Sequence, residues 1–107
     1  MNPKALAITC AIAHVEGYFN GKSISWRNHN PGNLRAWGTA PVVNGYAQFT
    51  DAPTGFLALY NDVLANSGKV TLTQFLNKYA PAADSNQPSA YIAAVTEFAG
   101  VGADEMF

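Results

Sequence analysis

The sequence predicts an α+β fold, mainly helical, with one small β-hairpin, and three observations carry that reading. Apolar residues recur at helical spacing in four segments, the stretch from Val42 to Phe49 holds a lone hairpin pattern, and cap and turn residues mark where each segment starts and stops. The chain has 107 residues, 49% of them hydrophobic and spread from end to end, and only 12% are charged. That balance disfavours disorder, and one domain spanning residues 1–107 is expected to close around one core.

Asn2 followed by Pro3 opens the first helix, because Asn caps free amides and Pro suits a first-turn position where no N–H is needed. Ile8, Ala11, Ile12 and Val15 form its apolar stripe, and Gly17 is suited to end it just after Glu16. The next fifteen or so residues read as loop, in which Asn30-Pro31-Gly32-Asn33 fits a type II turn. Val42-Val43 and Tyr46 to Phe49, joined by Asn44-Gly45, predict a hairpin with a type I′ turn. Asp51 caps a second helix with Phe56, Leu59, Tyr60, Val63 and Leu64 on one face, which Gly68 stops. Thr71 and Gln74 make a capping box for a third, bearing Leu72, Phe75, Leu76 and Tyr79 and ended by Pro81, with a polar loop through Asn86. Pro88-Ser89 opens a fourth, with Tyr91, Ile92, Val95 and Phe98 on one side and Gly100 at its close. Ile12, Val15, Phe56, Leu59, Val63, Phe75, Leu76, Ile92 and Val95 are expected to share the core.

Six Lys/Arg oppose seven Asp/Glu, and the basic residues are scattered, so no platform for nucleic acid is expected. The N-terminal apolar stretch is interrupted by Thr9, Cys10, His14 and Glu16. It is too short and polar to span a membrane and lacks the cationic opening of a secretory signal. Cys10, the only cysteine, excludes an internal disulfide and reads as a buried, inert thiol. His14 and His29 have no second ligand at metal spacing, and neither a metal nor a cofactor is expected.

Among seven carboxylates, Glu16 stands apart. Asp51 is explained as a cap, Asp62 and Glu97 lie off the main apolar stripes and read as solvated, Asp84 falls in the polar loop, and Asp104 and Glu105 are near the end. Glu16 borders the stripe of the first helix in its last turn, with Gly17, Tyr18 and Phe19 following. Aromatic desolvation, the negative end of the helix dipole and the lack of a neighbouring cation in sequence all favour its protonated form, which suits donation to a leaving oxygen. On spacing alone, an ordinary surface glutamate at a helix end fits equally well. The loop from Trp26 to Arg35 sets three asparagines, a histidine and two arginines around one turn. Amides that both donate and accept suit sugar hydroxyls and N-acetyl groups, and Trp26, Trp37 and Tyr46 can stack on sugar faces. The competing explanation is that Asn and Gly serve turn geometry alone and that the tryptophans belong to the core.

The runs Ala13-His14-Val15-Glu16-Gly17-Tyr18-Phe19 and Arg27-Asn28-His29-Asn30-Pro31-Gly32-Asn33-Leu34, then Phe49 to Gly55, then Tyr79-Ala80-Pro81 with Asn86 and Tyr91, carry a resemblance over nearly the whole chain. The sequence resembles the small lysozyme-like, lytic-transglycosylase-type proteins of phages and bacteria. That resemblance implies a lysozyme-like fold and cleavage of peptidoglycan glycan strands between N-acetylmuramic acid and N-acetylglucosamine. It makes Glu16 the catalytic glutamate, sets the Asn30 to Leu34 turn against the cleft, and matches Tyr79 to a tyrosine near the acid. Asn28, Asn30, Asn33, Trp37, Tyr46, Tyr79 and Tyr91 are the candidate substrate-binding residues.

The pattern departs from phage lysozymes in one respect: no carboxylate lies between Glu16 and Asp51. Two-carboxylate hydrolysis needs a second group, whereas a lytic transglycosylase lets the muramyl 6-hydroxyl attack its own anomeric carbon. Transglycosylation therefore ranks ahead of a hydrolytic muramidase. A non-catalytic glycan-binding or virion structural module is the reading from another class. Glycan strands are the expected partner, with a virion or larger cell-wall assembly as a further candidate, and phage delivery or non-classical export is the expected route to the wall.

Overall fold

A computed structural model describes residues 2–79 and 88–107. It is mainly helical with one two-stranded antiparallel sheet. Helix α1 spans Pro3–Val15, and the Asn2 side chain accepts from the Ala5 N–H at 3.1 Å, as a cap residue should. Glu16 is its C-cap, and Gly17 follows in the left-handed region at φ 79°.

The segment expected to be irregular holds two short helical turns, a 3₁₀ turn at Tyr18–Asn20 and helix α2 at Ile24–Arg27. Side-chain acceptors create them. Asn20 Oδ1 accepts from the N–H groups of Lys22 and Ser23, and Ser23 Oγ accepts from the Trp26 N–H. A four-residue helix has too few positions to show an apolar period.

Strands β1 (Val42–Val43) and β2 (Tyr46–Ala47) pair in the register Val42↔Ala47 and Val43↔Tyr46. Asn44 and Gly45 both take positive φ, 55° and 85°, as a type I′ turn requires. The turn at Asn30–Asn33 differs from the type II expectation. Asn33, not Gly32, carries the positive φ, 49°, and its N–H donates to the Asn30 carbonyl at 3.0 Å. Gly32 is needed for space: a Cβ there would run into the Tyr79 hydroxyl and the Leu59 methyls.

Helix α3 (Ala52–Asn66) starts at Asp51, whose Oδ1 accepts from the Thr54 N–H at 2.9 Å. Its Gly55 abuts the loop backbone, where a Cβ would collide with the His29 carbonyl. Helix α4 (Leu72–Tyr79) carries the expected capping box: the Thr71 N–H donates to Gln74 Oε1 at 2.8 Å, and the Gln74 N–H donates to Thr71 Oγ1 at 3.2 Å. The expected stop at Pro81 and the loop through Asn86 lie outside the described residues. Helix α5 spans Pro88–Ala99, and Gly100 closes it at φ 70°.

The main core joins α1, α3, α4 and α5 through Ile8, Ile12, Leu59, Val63, Leu76 and Val95, all buried. Each such side chain contributes roughly 1.5–3 kcal/mol by leaving water. A smaller cluster of Leu34, Ala47, Phe49 and Ala58 lies under the hairpin, and Tyr79 packs against both clusters. Of the expected core, Val15 and Ile92 sit at its edge. Phe56 belongs elsewhere: it meets the Tyr18 ring edge-on at 5.0 Å, a partner supplied by the unforeseen 3₁₀ turn. Phe98, 54% exposed, stacks on His14 at 4.5 Å outside the core, and Leu64 is exposed. Cys10 is only partly buried, in an apolar groove with Leu6, Phe56 and Leu57. Among the described residues no helix is long and apolar enough to cross a membrane.

Candidate active site

Glu16 is held first through its backbone. Its N–H closes the last turn of α1 onto the Ile12 carbonyl at 2.9 Å, which leaves the Glu16 and Gly17 carbonyls beyond the helix ladder. Two serines satisfy them: Ser25 Oγ donates to the Glu16 carbonyl at 3.1 Å and Ser23 Oγ to the Gly17 carbonyl at 2.8 Å. The two hydroxyls lie 2.8 Å apart, so α2 is bound to the end of α1 by a small polar cluster.

The carboxylate is gripped from both sides. Asn33 Nδ2 donates to Oε1 at 3.1 Å, and the Tyr91 hydroxyl donates to Oε2 at 2.7 Å. Asn33 arrives from the tight turn and Tyr91 from the first turn of α5, 17 and 75 residues away in sequence. Burial, and after it the Glu16 charge, holds the Tyr91 phenol far above its ordinary range. Tyr79 is raised well above it for the same two reasons, with the Asp62 charge a smaller contribution. Both phenols therefore remain neutral. Tyr79 donates to the Gly32 carbonyl and thereby fixes the turn that presents Asn33.

A cleft of about 310 Å³ opens beside this group. Glu16, Asn33, Arg35 and Tyr46 line it from the first helix, the turn and the hairpin, and Asp62, Asn66, Phe75, Lys78 and Tyr79 line it from α3 and α4. The Arg35 guanidinium lies over the Tyr46 ring, 4.5 Å from its centroid, and stiffens that end.

Of the expected substrate-binding residues, Asn33, Tyr46 and Tyr79 line the cleft, and Tyr91 reaches Glu16. Asn28 and Asn30 do not line it; they are 1% and 0% exposed. Asn28 Nδ2 donates to the Val43 carbonyl at 2.8 Å, and Asn30 Nδ2 to the Leu34 and Ala47 carbonyls at 3.0 and 2.8 Å. Asn30 Oδ1 also accepts from the Leu34 N–H at 3.0 Å. Both amides thus brace the hairpin against the loop, because a two-residue ladder leaves many backbone groups to be satisfied from outside. Trp37 is partly exposed and, like Trp26, lies off the cleft lining.

Asp62 corrects the sequence reading in the other direction. Expected to be solvated, it lines the cleft, and burial raises its pKa. The stripe that defines the face of α3 marks what touches the core and is blind to a wall formed by α4. Ser23 and Ser25 were also missed, although Ser23 three residues before Trp26 is a cap signal that could have found the first. No family model, curated protein or solved structure matches the chain.

Proposed function

We propose that this protein cleaves peptidoglycan glycan strands at the bond from N-acetylmuramic acid to N-acetylglucosamine, as a lytic transglycosylase with Glu16 as the acid. One observation carries the reading: a helix-end glutamate stands in a cleft with each carboxyl oxygen bound by a neutral side chain, Asn33 and Tyr91. The two contacts orient the carboxyl group within the cleft, as a group that must meet a scissile bond in reactive geometry requires. A phenol both donates and accepts, so Tyr91 stays bonded in either protonation state, while Asn33 Nδ2 only donates and fixes the rotation of the group.

In this reaction Glu16 gives its proton to the glycosidic oxygen as the bond to the anomeric carbon breaks. The resulting carboxylate then takes the proton of the muramyl 6-hydroxyl while that oxygen bonds to the anomeric carbon. The product is a 1,6-anhydro sugar, and Glu16 is left protonated for the next cycle. The lysozyme-like family assignment and the role of a phage-delivered or exported wall-degrading protein, alone or in a virion, belong to the same proposal.

A second reading, hydrolysis, is favoured by Asp62, a carboxylate in the same cleft. A non-catalytic glycan-binding module is the third, disfavoured by the cradle around Glu16. Purified peptidoglycan tests all three. Wild-type protein should clear a suspension and release fragments that mass spectrometry shows to end in anhydro sugars, and Glu16→Gln should remove nearly all turnover while keeping the fold. Reducing ends would establish hydrolysis. Clearing by the Gln variant at the wild-type rate would remove Glu16 from the mechanism.

A further inference from the structure

The wall of the cleft formed by α3 has a chemical character of its own. Asp62 lines it, is half-buried, and among the described residues nothing donates to its carboxylate. One turn along, Asn66 donates one Nδ2–H to the Asp62 backbone carbonyl at 2.9 Å, which leaves its second N–H and its Oδ1 for other partners. The Asp62 carboxylate is the charged acceptor of this wall. A partly buried carboxylate without a donor is unfavourable, and a ligand that brings N–H or O–H groups relieves it.

Position along α3 relates these residues to the turn beside Glu16. Leu59 lies beneath Gly32, next to the residue that holds Glu16. Asp62 and Asn66 follow Leu59 on α3 at a rise of about 1.5 Å per residue, roughly 4.5 and 10.5 Å further along the helix axis. Both line the same cleft as Glu16, one and two turns of α3 beyond the contact with Gly32. Lys78 from α4 supplies a donor at the same cleft, complementary to a carbonyl. An N-acetylated amino sugar offers that combination: an amide N–H and ring hydroxyls for the acceptors, and an acetyl carbonyl for the cation.

We propose that Asp62, supported by Asn66, is a specificity-determining residue that accepts a hydrogen bond from the acetamido N–H of a sugar adjoining the cleaved bond. This rests on the glycan-cleaving function proposed above. Asp62 takes no proton in the reaction; it binds.

The test uses peptide-free glycan strands and the intact protein. Asp62→Asn keeps one acceptor and Asp62→Leu none, so KM should rise by a few-fold in the first and about tenfold or more in the second, the range carried by a hydrogen bond to a charged group. The turnover number should fall less than twofold in each, since binding away from the reacting atoms is uniform. In a Glu16→Gln background, calorimetric titration with the same strands should show the same graded loss of affinity, and the two Asp62 variants guard against one of them failing to fold. Unchanged KM in both variants overturns the role of Asp62 and leaves the glycan-cleaving function intact. Collapse of turnover with KM preserved also overturns it, making Asp62 the base of a hydrolase. If wild-type protein neither cleaves nor binds the strands, the function proposed above falls, and this inference falls with it.

Discussion

At the scale of single residues, Asn33 both shapes a turn and reaches the carboxyl group proposed as the acid. Its backbone takes the left-handed region at φ 49°, and its amide reaches Glu16 Oε1, so an alanine there would lose the contact and strain the turn together. Glycine separates the two. Asn33→Gly should keep the melting temperature close to wild type and lower kcat/KM by about 2- to 10-fold, the worth of one hydrogen bond, whereas Asn33→Ala should lower both. Equal activity in wild type and the Gly variant would reduce Asn33 to a turn residue. Asp62 makes a stability forecast through its titration. Burial raises its pKa in the folded state, so the folded protein holds that proton more tightly than the unfolded chain. The stabilisation this gives is full below the unfolded pKa and lost as pH rises through the folded one. At pH 7 the ionised group therefore opposes folding, and Asp62→Asn should raise the melting temperature there while weakening substrate binding. A fall at pH 7 would show that the carboxylate has a partner that stabilises it.

At the scale of elements, helix ends and the hairpin were legible because each depends on a few adjacent residues. The Asn2 and Asp51 caps, the Thr71–Gln74 box and the Asn44-Gly45 turn all form as local chemistry dictates. Where sequence reasoning failed, the deciding partner came from far along the chain. Gly32 looked like a turn glycine and is a spacer for Tyr79, Asn28 and Asn30 looked like ligands and are braces, and Asp62 looked solvated and faces a cleft. Glu16 was legible as an unusual glutamate, but its grip by Tyr91 was not, because 75 residues separate them. The cap of α3 gives a prediction of its own. Hydrogen bonds from the Thr54 side chain and backbone hold the Asp51 carboxyl below its ordinary value. The stabilisation is present above the unfolded pKa of 3.8 and lost as pH falls through the folded value. Asn also caps helices but does not titrate, so Asp51→Asn should leave stability near neutrality little changed and flatten its acid decline, measured as melting temperature against pH. Parallel acid declines in the two proteins would exclude Asp51 as their source.

At the scale of the whole molecule, Tyr79 connects what would otherwise be two separately packed parts. Its ring packs against the helical core and against the cluster under the hairpin, and its hydroxyl donates to the carbonyl of Gly32, the residue before Asn33. Stability and the geometry at Glu16 should therefore be coupled through it. Phe107 supplies the control, since it is buried in the same core against Phe75, with ring centroids 5.6 Å apart, and is absent from the cleft lining. Tyr79→Phe should keep the ring packing but leave the Gly32 carbonyl without its donor, costing about 1–3 kcal/mol. Phe107→Ala removes a buried ring and should cost about 3–5 kcal/mol. If stability alone governed the proposed activity, Phe107→Ala would be the more damaged variant under all conditions. The linkage through Gly32 predicts the reverse once both are folded: at a temperature well below either transition, Tyr79→Phe should show the larger loss of kcat/KM, because its turn no longer holds Asn33 against Glu16. Folded fractions read by circular dichroism on the assayed samples make the comparison fair. A larger loss in Phe107→Ala at full folding would mean that the Tyr79 hydroxyl serves packing alone.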